Sequence, residues 1–351
     1  MKGVDFLLDC YSTNATVAKI HAMHGKMLTK ENYHEMTGKR SVAEVAEYLK
    51  RTPRFKGILQ DIDPNTIHRG FLEELLQKSN FDTYVRLCKF QRLDQKPFYN
   101  FLVQKIEIEQ IIEAVNRINT KLENDSLAQV PVYVKSHSKL DLLKLGTASN
   151  IDELKSALKG TPYFKLMAKL PLNEENGIDY GECERILIAF YYKRLLEYVE
   201  DNFSNEDAKQ LKKIIYTEVD TINIRNAYRK KAFFGYTAEQ IKEGQMPFTR
   251  MGKHRINSLY EKESPEEMID MLKKTTYGKM IEKDSEYIEI EFLAVLCNYM
   301  KHVVARSCSA PVVMYAFMTL CDIEVKNIIH IIEGIRYEVD PVLIEKNMIV
   351  Y

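Results

Sequence analysis

Apolar residues recur three and four positions apart over most of the chain, the spacing of one face of an α-helix. The run Glu184-RILIAFYYKRLLEYVED keeps this spacing for roughly four to five turns at ~3.6 residues each. Phe71-LEELLQ, Phe98-YNFLVQKI and Glu291-FLAVLCNYMKHVV behave the same way, and short polar stretches (Asn173-EENG, Asn202-FSNED, Lys121-LENDS) separate such runs. Val130-PVYV predicts a short strand, but no segment alternates long enough to support a sheet. Ser307 to Cys321 is fifteen residues without a charge and contains Pro311. A membrane span needs about twenty, so this run predicts a buried helix.

One pattern occurs three times. Ser41-VAEVAEYLKRTPRFK, Asn150-IDELKSALKGTPYFK and Ser264-PEEMIDMLKKTTYGK align without a gap, at spacings of 109 and 114 residues. Each starts with Ser or Asn and has Glu three residues later. Each then carries an apolar residue (Val45, Leu154, Met268), a Leu-Lys pair (Leu49, Leu158, Leu272 with the following lysine), a threonine (Thr52, Thr161, Thr275) and a closing lysine (Lys56, Lys165, Lys279). The Ser/Asn-x-x-Glu spacing predicts a capping box worth roughly 1 kcal/mol, with the side chain accepting from an orphan N–H and the glutamate returning the bond. Pro265 suits the first helical position. Thr-Pro in two copies predicts a helix stop, because the residue before proline avoids the α region.

A second triplet follows in the same order: Ile106-EIEQI, Val219-DTINI and Ile323-EVKNI. Its form is apolar, acid, two free positions, amide, isoleucine, at spacings of 113 and 104 residues. Acid and amide (Glu107 and Gln110, Asp220 and Asn223, Glu324 and Asn327) fall at i and i+3 on one helix face. The expectation is that this face meets a neighbouring repeat and satisfies buried polar groups. The two triplets together predict an all-α chain of three tandem helical bundles in a pseudo-threefold arrangement: 1–112, 113–226 and 227–351.

Composition agrees with helices. Glycine (14) and proline (10) are scarce in 351 residues, and hydrophobic residues make up 45%. Fifty basic and fifty acidic residues cancel, so nothing suggests a surface built for nucleic-acid phosphates. The six cysteines lie at least eleven residues apart, which excludes CxxC chemistry and suggests buried, reduced thiols, Cys308 and Cys321 included. Lys2, Asp5 and Asp9 interrupt any signal-peptide core. Gly-Lys pairs at 25, 38, 252 and 278 lack the rest of a P-loop, and HExxH and GxSxG are absent. His21, His24 and His34 read as solvent-facing rather than as a metal site. No catalytic residue, metal or cofactor is indicated. Arg225, Arg229, Lys230 and Lys231, then Arg250, Lys253 and Arg255, form a basic region. Glu282, Asp284, Glu286, Glu289 and Glu291 form an acidic one. Both are solvated faces or surfaces for oppositely charged partners.

With the triplication and the acid-x-x-Asn-Ile motif in hand, the chain resembles the C-subunit family of the bacterial and archaeal V/A-type ATP synthases, to which the d subunit of the eukaryotic vacuolar ATPase also belongs. Glu324-VKNIIHIIEGIR is the best copy. Ala18-KIHAM followed by Lys26-MLT is similar to the family's opening helix, with Lys19 for its usual arginine, and Gln110 replaces the motif asparagine in the first copy. The resemblance implies a non-enzymatic, funnel-shaped rotor part. It would lie peripherally on the cytoplasmic face of the membrane and couple the central axle to the proteolipid ring, for ATP-linked ion transport. Arg225, Arg229 and Lys230 are the candidates for touching ring or axle. The alternatives are a helical scaffold unrelated to a rotary motor, which repeats of about 115 residues disfavour, and an enzyme with an unrecognised helical site.

Overall fold

Polar side chains cap the start of eight of the described helices. The structure, a computed structural model, describes residues 14–90, 97–120, 130–167, 170, 177–203, 205–278, 281 and 288–349. The Lys121-LENDS and Asn173-EEN stretches, Cys10, Lys279, Glu282, Asp284 and Glu286 lie outside the described residues. In chain order the helices are α1 (14–24), α2 (Lys30–Thr37), α3 (Val42–Arg51), α4 (Lys56–Leu59), α5 (Arg69–Phe90) and α6 (Phe101–Thr120). Then come α7 (Leu142–Thr147), α8 (Ile151–Leu158), α9 (Pro162–Met167), α10 (Tyr180–Asn202) and α11 (Asn205–Phe234). The last are α12 (Ala238–Glu243), α13 (Lys253–Tyr260), α14 (Pro265–Lys273), α15 (Ile288–Arg306), α16 (Ala310–Arg336) and α17 (Pro341–Lys346). Among the described residues there is no strand, and no helix is long and apolar enough to cross a membrane.

The three capped helices are α3, α8 and α14. Ser41, Asn150 and Ser264 each accept from the N–H three residues on, at 3.2, 2.9 and 3.2 Å. The return bond departs from the expectation. Glu44, Glu153 and Glu267 accept instead from the N–H one residue before the cap, those of Arg40, Ser149 and Glu263. The N-cap φ is between −126° and −151° at these sites. At Thr29 and Thr237, where it is −90° and −70°, the box closes on the cap's own N–H. The cap's φ sets where its N–H points, and so which donor the side chain meets. The Val45/Leu154/Met268 and Leu49/Leu158/Leu272 positions are fully buried, worth roughly 1.5–3 kcal/mol per side chain.

The chain stops also differ from expectation. α3 ends before Thr52-Pro53 as the sequence indicates, but α8 ends at Leu158, ahead of Thr161-Pro162. Gly160, at φ +84°, provides the left-handed residue there. Pro162 then opens α9, where it lacks no needed N–H. The predicted strand at Val130–Val134 is instead a 3-10 turn over Val132–Val134. Val130 and Val134 are buried, and Val130 lies so close to α7 that a Cβ on Gly146 would stand 2.3 Å from its Cγ2. Packing overrides the β propensity of this run.

The helices form two compact units. One is continuous, Gly70–Phe203; the other combines the residues up to Arg69 with those from 204 on. In the continuous unit α6 packs along α10, with Tyr84, Phe98 and Phe101 in ring contact between them and α5. In the discontinuous unit α11, α13, α14 and α15 share an apolar core that includes Ile224, Leu259, Met268, Leu272 and Phe292. α16, grown from the uncharged run, is buried nearly all round over that run, as expected of a segment apolar on every face, and exposes Lys326 further along. α2 and α3 pack against it. Of the thiols described, Cys88, Cys183, Cys297 and Cys321 are buried, but Cys308 is exposed, because it sits in the loop between α15 and α16.

Candidate functional site

The three motif acids are buried at 7%, 0% and 1% exposure for Glu107, Asp220 and Glu324. Each is met by donors, and the donors correspond. In the continuous unit Glu107, on α6, accepts from the Tyr163 hydroxyl at 2.7 Å and from Ser138 at 2.5 Å. In the discontinuous unit Asp220, on α11, accepts from the Tyr277 hydroxyl at 2.6 Å and from the N–H groups of Arg250 and Met251 at 3.0 and 3.3 Å. Glu324, on α16, accepts from Arg54 Nε at 2.9 Å and from the Leu28 N–H at 2.8 Å. Arg54, Tyr163 and Tyr277 hold the same position of the aligned segments, two residues after the repeated threonine. That threonine closes its helix in all three places. The hydroxyls of Thr52, Thr161 and Thr275 donate to the carbonyls of Leu49, Leu158 and Leu272 at 2.6–2.7 Å. Leu28, Ser138 and Met251 also correspond, twelve or thirteen residues ahead of the cap.

Each acid therefore serves the capped segment that follows it in the sequence, and Glu324, having none after it, serves the first. Each bond lies within one compact unit, Glu107–Tyr163 in Gly70–Phe203 and the other two in the discontinuous unit. The residues that sequence reading missed are the donors. Two are tyrosines and one, Arg54, is not; all three share only the ability to donate, and only the gapless alignment could have marked them.

The motif amides act on backbone. Asn223 exchanges two hydrogen bonds with Met246, at 2.9 and 3.1 Å, and Asn327 exchanges two with Ile349, both at 3.0 Å. Gln110, where the motif departs, is half-buried and makes no side-chain hydrogen bond among the described residues. Asn119, nine residues on, makes the equivalent exchange with Ile178 at 2.7 and 3.2 Å.

Burial dominates the electrostatics. It holds the Asp220 carboxyl above its ordinary value, against the opposing hydrogen bonds from Tyr277, Arg250 and Met251. Asp220 Oδ1 is buried without a hydrogen-bond partner among the described residues; Thr249 is near enough to favour the charge but not in bonding geometry. Burial likewise raises Glu324 despite the guanidinium of Arg54, and pushes the Cys321 thiol, 3.3 Å from Arg54 Nη2, up to about 12. These carboxylates are acceptors that their donors hold in place. The folded state binds the Asp220 proton more tightly than the unfolded one. Its contribution to stability is thus fully present below the ordinary 3.8 and is lost as pH rises through the raised folded value. The unfolding free energy of the wild type minus that of Asp220→Asn is therefore expected to fall between pH 4 and pH 7, measured by urea titration at each pH. A rising or level difference would contradict the assignment.

Of the basic region, Arg250 alone among the described residues is bonded to a motif acid, through its N–H to Asp220. Arg225 is half-buried, with Nε unbonded among the described residues. Arg229 pairs with Glu289 at 3.3 Å, so one member of the basic region meets one of the acidic region inside the chain. The Lys230 ammonium lies 5.6 Å from the centre of the Tyr236 ring, and Lys231 donates to the Lys262 carbonyl. Arg250 contacts Thr217 and the Tyr299 ring, while Lys253 and Arg255 are exposed. His21 and His34 are exposed but bonded to the Val304 carbonyl and to Glu345, at 2.7 and 2.6 Å. His24 is half-buried, and burial, Lys301 and His21 lower its pKa.

The sequence model of the family described as ATP synthase (C/AC39) subunit matches residues 16–347, nearly the whole chain. The chain belongs to that family. Among its curated relatives is the C subunit of the A-type ATP synthase of Desulfurococcus sp. (strain SY), 27% identical over 292 residues, which are 82% of this chain and 75% of that one. The protein of the same name from Methanosphaera stadtmanae is 24% identical over 342 residues, 92% of this chain and 83% of the relative. That of Thermococcus kodakarensis is 23% identical over 292 residues, with coverage of 82% and 75%. As a C/AC39 subunit, the chain places all three acids and the motif asparagines Asn223 and Asn327 inside the span the family model covers.

Proposed function

We propose that the chain is the non-catalytic central-stalk subunit of a V/A-type rotary ATPase or ATP synthase, coupling the central axle to the membrane proteolipid ring. In this reading it lies peripherally on the cytoplasmic face and contributes no active site of its own. It consists of three tandem helical repeats, 1–112, 113–226 and 227–351. The observation that carries the reading is the family match over residues 16–347, joined to the three buried acids that each take a donor from the same position of a different aligned segment. A part that transmits torque must not shear between its segments. A buried carboxylate bonded across each segment boundary resists that, since sliding would strand an unsatisfied acceptor in an apolar interior. Close-packed helices supply the remaining stiffness. Affinity purification from detergent-solubilised membranes is expected to recover an axle subunit together with the proteolipid ring. Recovery of neither, with the chain folded, would overturn the proposal and favour an unrelated helical scaffold.

A further inference from the structure

The third copy of the acid–amide motif is completed differently from the second. On α11 one continuous stretch answers both polar groups: Asn223 holds Met246, and Asp220 holds Arg250, Met251 and Tyr277. On α16 two distant parts of the chain share the task. Asn327 holds Ile349, whereas Glu324 holds Leu28 and Arg54. If the bonds at Asp220 break, the stretch after α11 stays docked through Met246. If those at Glu324 break, no motif contact is left on residues 14–68. Chain length acts in the same direction. Asp220 and Tyr277 lie 57 residues apart, Glu324 and Arg54 270, and a longer tether holds its ends together more weakly.

Residues 14–68, helices α1 to α4, therefore lie on the rest of their unit as a strap. Its other polar ties include His21 to the Val304 carbonyl and His34 to Glu345, and both histidines are exposed. Apolar burial does most of the holding: Met36, Val45, Leu49 and Phe55 are fully buried, and α2 and α3 pack on α16. The strap also covers two buried thiols. Arg54 Nη2 lies 3.3 Å from the Cys321 sulfur. The Tyr33 hydroxyl, on α2, is pushed well above its ordinary value by burial and by Glu324, and further by the Cys297 and Cys321 thiols, so it stands close to both. In native proteins the least-held stretches open first, as cooperative units, at a cost below that of global unfolding.

We infer that residues 14–68 are a releasable strap, which opens transiently as one unit while the rest of the chain stays folded and so uncovers Cys297 and Cys321. Such opening depends only on contacts inside the discontinuous unit and goes beyond the stalk reading. The test is pulse labelling of the full-length chain with N-ethylmaleimide in native buffer, the labelled peptides being quantified by mass spectrometry. Both thiols should label with a urea dependence less than about half that of global unfolding followed by circular dichroism, since the strap is a minor share of the surface exposed on unfolding. Leu49 of the strap and Leu272 of α14 hold the same aligned position, and both are fully buried. Leu49→Ala should speed the labelling roughly thirtyfold or more, the weight of a buried leucine truncation. Leu272→Ala, an equal truncation outside the strap, should change it by less than about threefold if the strap opens alone. Amide hydrogen exchange of the wild type gives a readout that needs no variant: α2 and α3 should exchange together and ahead of α13 and α14. Labelling with the full global urea slope, no acceleration by Leu49→Ala, or equal acceleration by both variants overturns the inference. So does exchange of α2 and α3 no faster than that of α13 and α14.

Discussion

Arg54→Ala is expected to destabilise the protein by about 3–5 kcal/mol, because it leaves the Glu324 carboxylate buried beside an empty space. The side chains are 6% and 1% exposed, so water cannot replace the guanidinium without disrupting the packing of α3 against α16. The loss should appear as a lower urea midpoint with an unchanged slope. It should shrink as pH falls toward the ordinary carboxylate range, where a protonated Glu324 needs no cation. Arg54→Met combined with Glu324→Leu should recover most of the loss, since two apolar groups of similar volume require no pairing. A residue of about 1–3 kcal/mol should remain, because the Leu28 N–H loses its acceptor. A cost under 1 kcal/mol for Arg54→Ala, or a double variant no better than the single, would remove the pair from its structural role.

The second large effect separates two copies of the motif from the third. Asn223→Ala and Asn327→Ala should each cost about 2–4 kcal/mol, since each strands a buried backbone N–H and C=O, of Met246 or Ile349. Gln110→Ala, at the equivalent position, should cost less than about 1 kcal/mol, since its half-buried side chain makes no hydrogen bond among the described residues whose loss would strand a partner. Asn119→Ala should behave like the two asparagines. Equal effects at all three motif positions in thermal or urea unfolding would contradict this.

These contrasts show what a single sequence can disclose. The capped helices were legible because Ser41, Asn150 and Ser264 act through local bonds that span three residues. The shared helix face of acid and amide was legible as well, from their i, i+3 spacing. What each acid touches was not. Glu107 reaches 56 residues ahead, Asp220 reaches 57, and Glu324 reaches back 270. Repetition made the missing rule recoverable in principle, because three donors stand at one aligned position. A tyrosine and an arginine look unrelated until the hydrogen bond they share is seen. The expected strand at Val130-PVYV failed for the opposite reason. Its propensity was plain, but the pressure of Gly146 and α7 on Val130 was not.

The long reach of Glu324 has a consequence for synthesis. Residues 14–69 leave the ribosome ahead of the other described residues, yet the helix they pack against ends 267 residues after Arg69. At about 5–20 residues per second, α2 and α3 spend on the order of 10–60 s without that partner. Meanwhile the contiguous block Gly70–Phe203 can finish folding. The nascent amino-terminal segment is thus the stretch a chaperone would need to shield, and slowing translation between codons 204 and 336 should increase its exposure to protease.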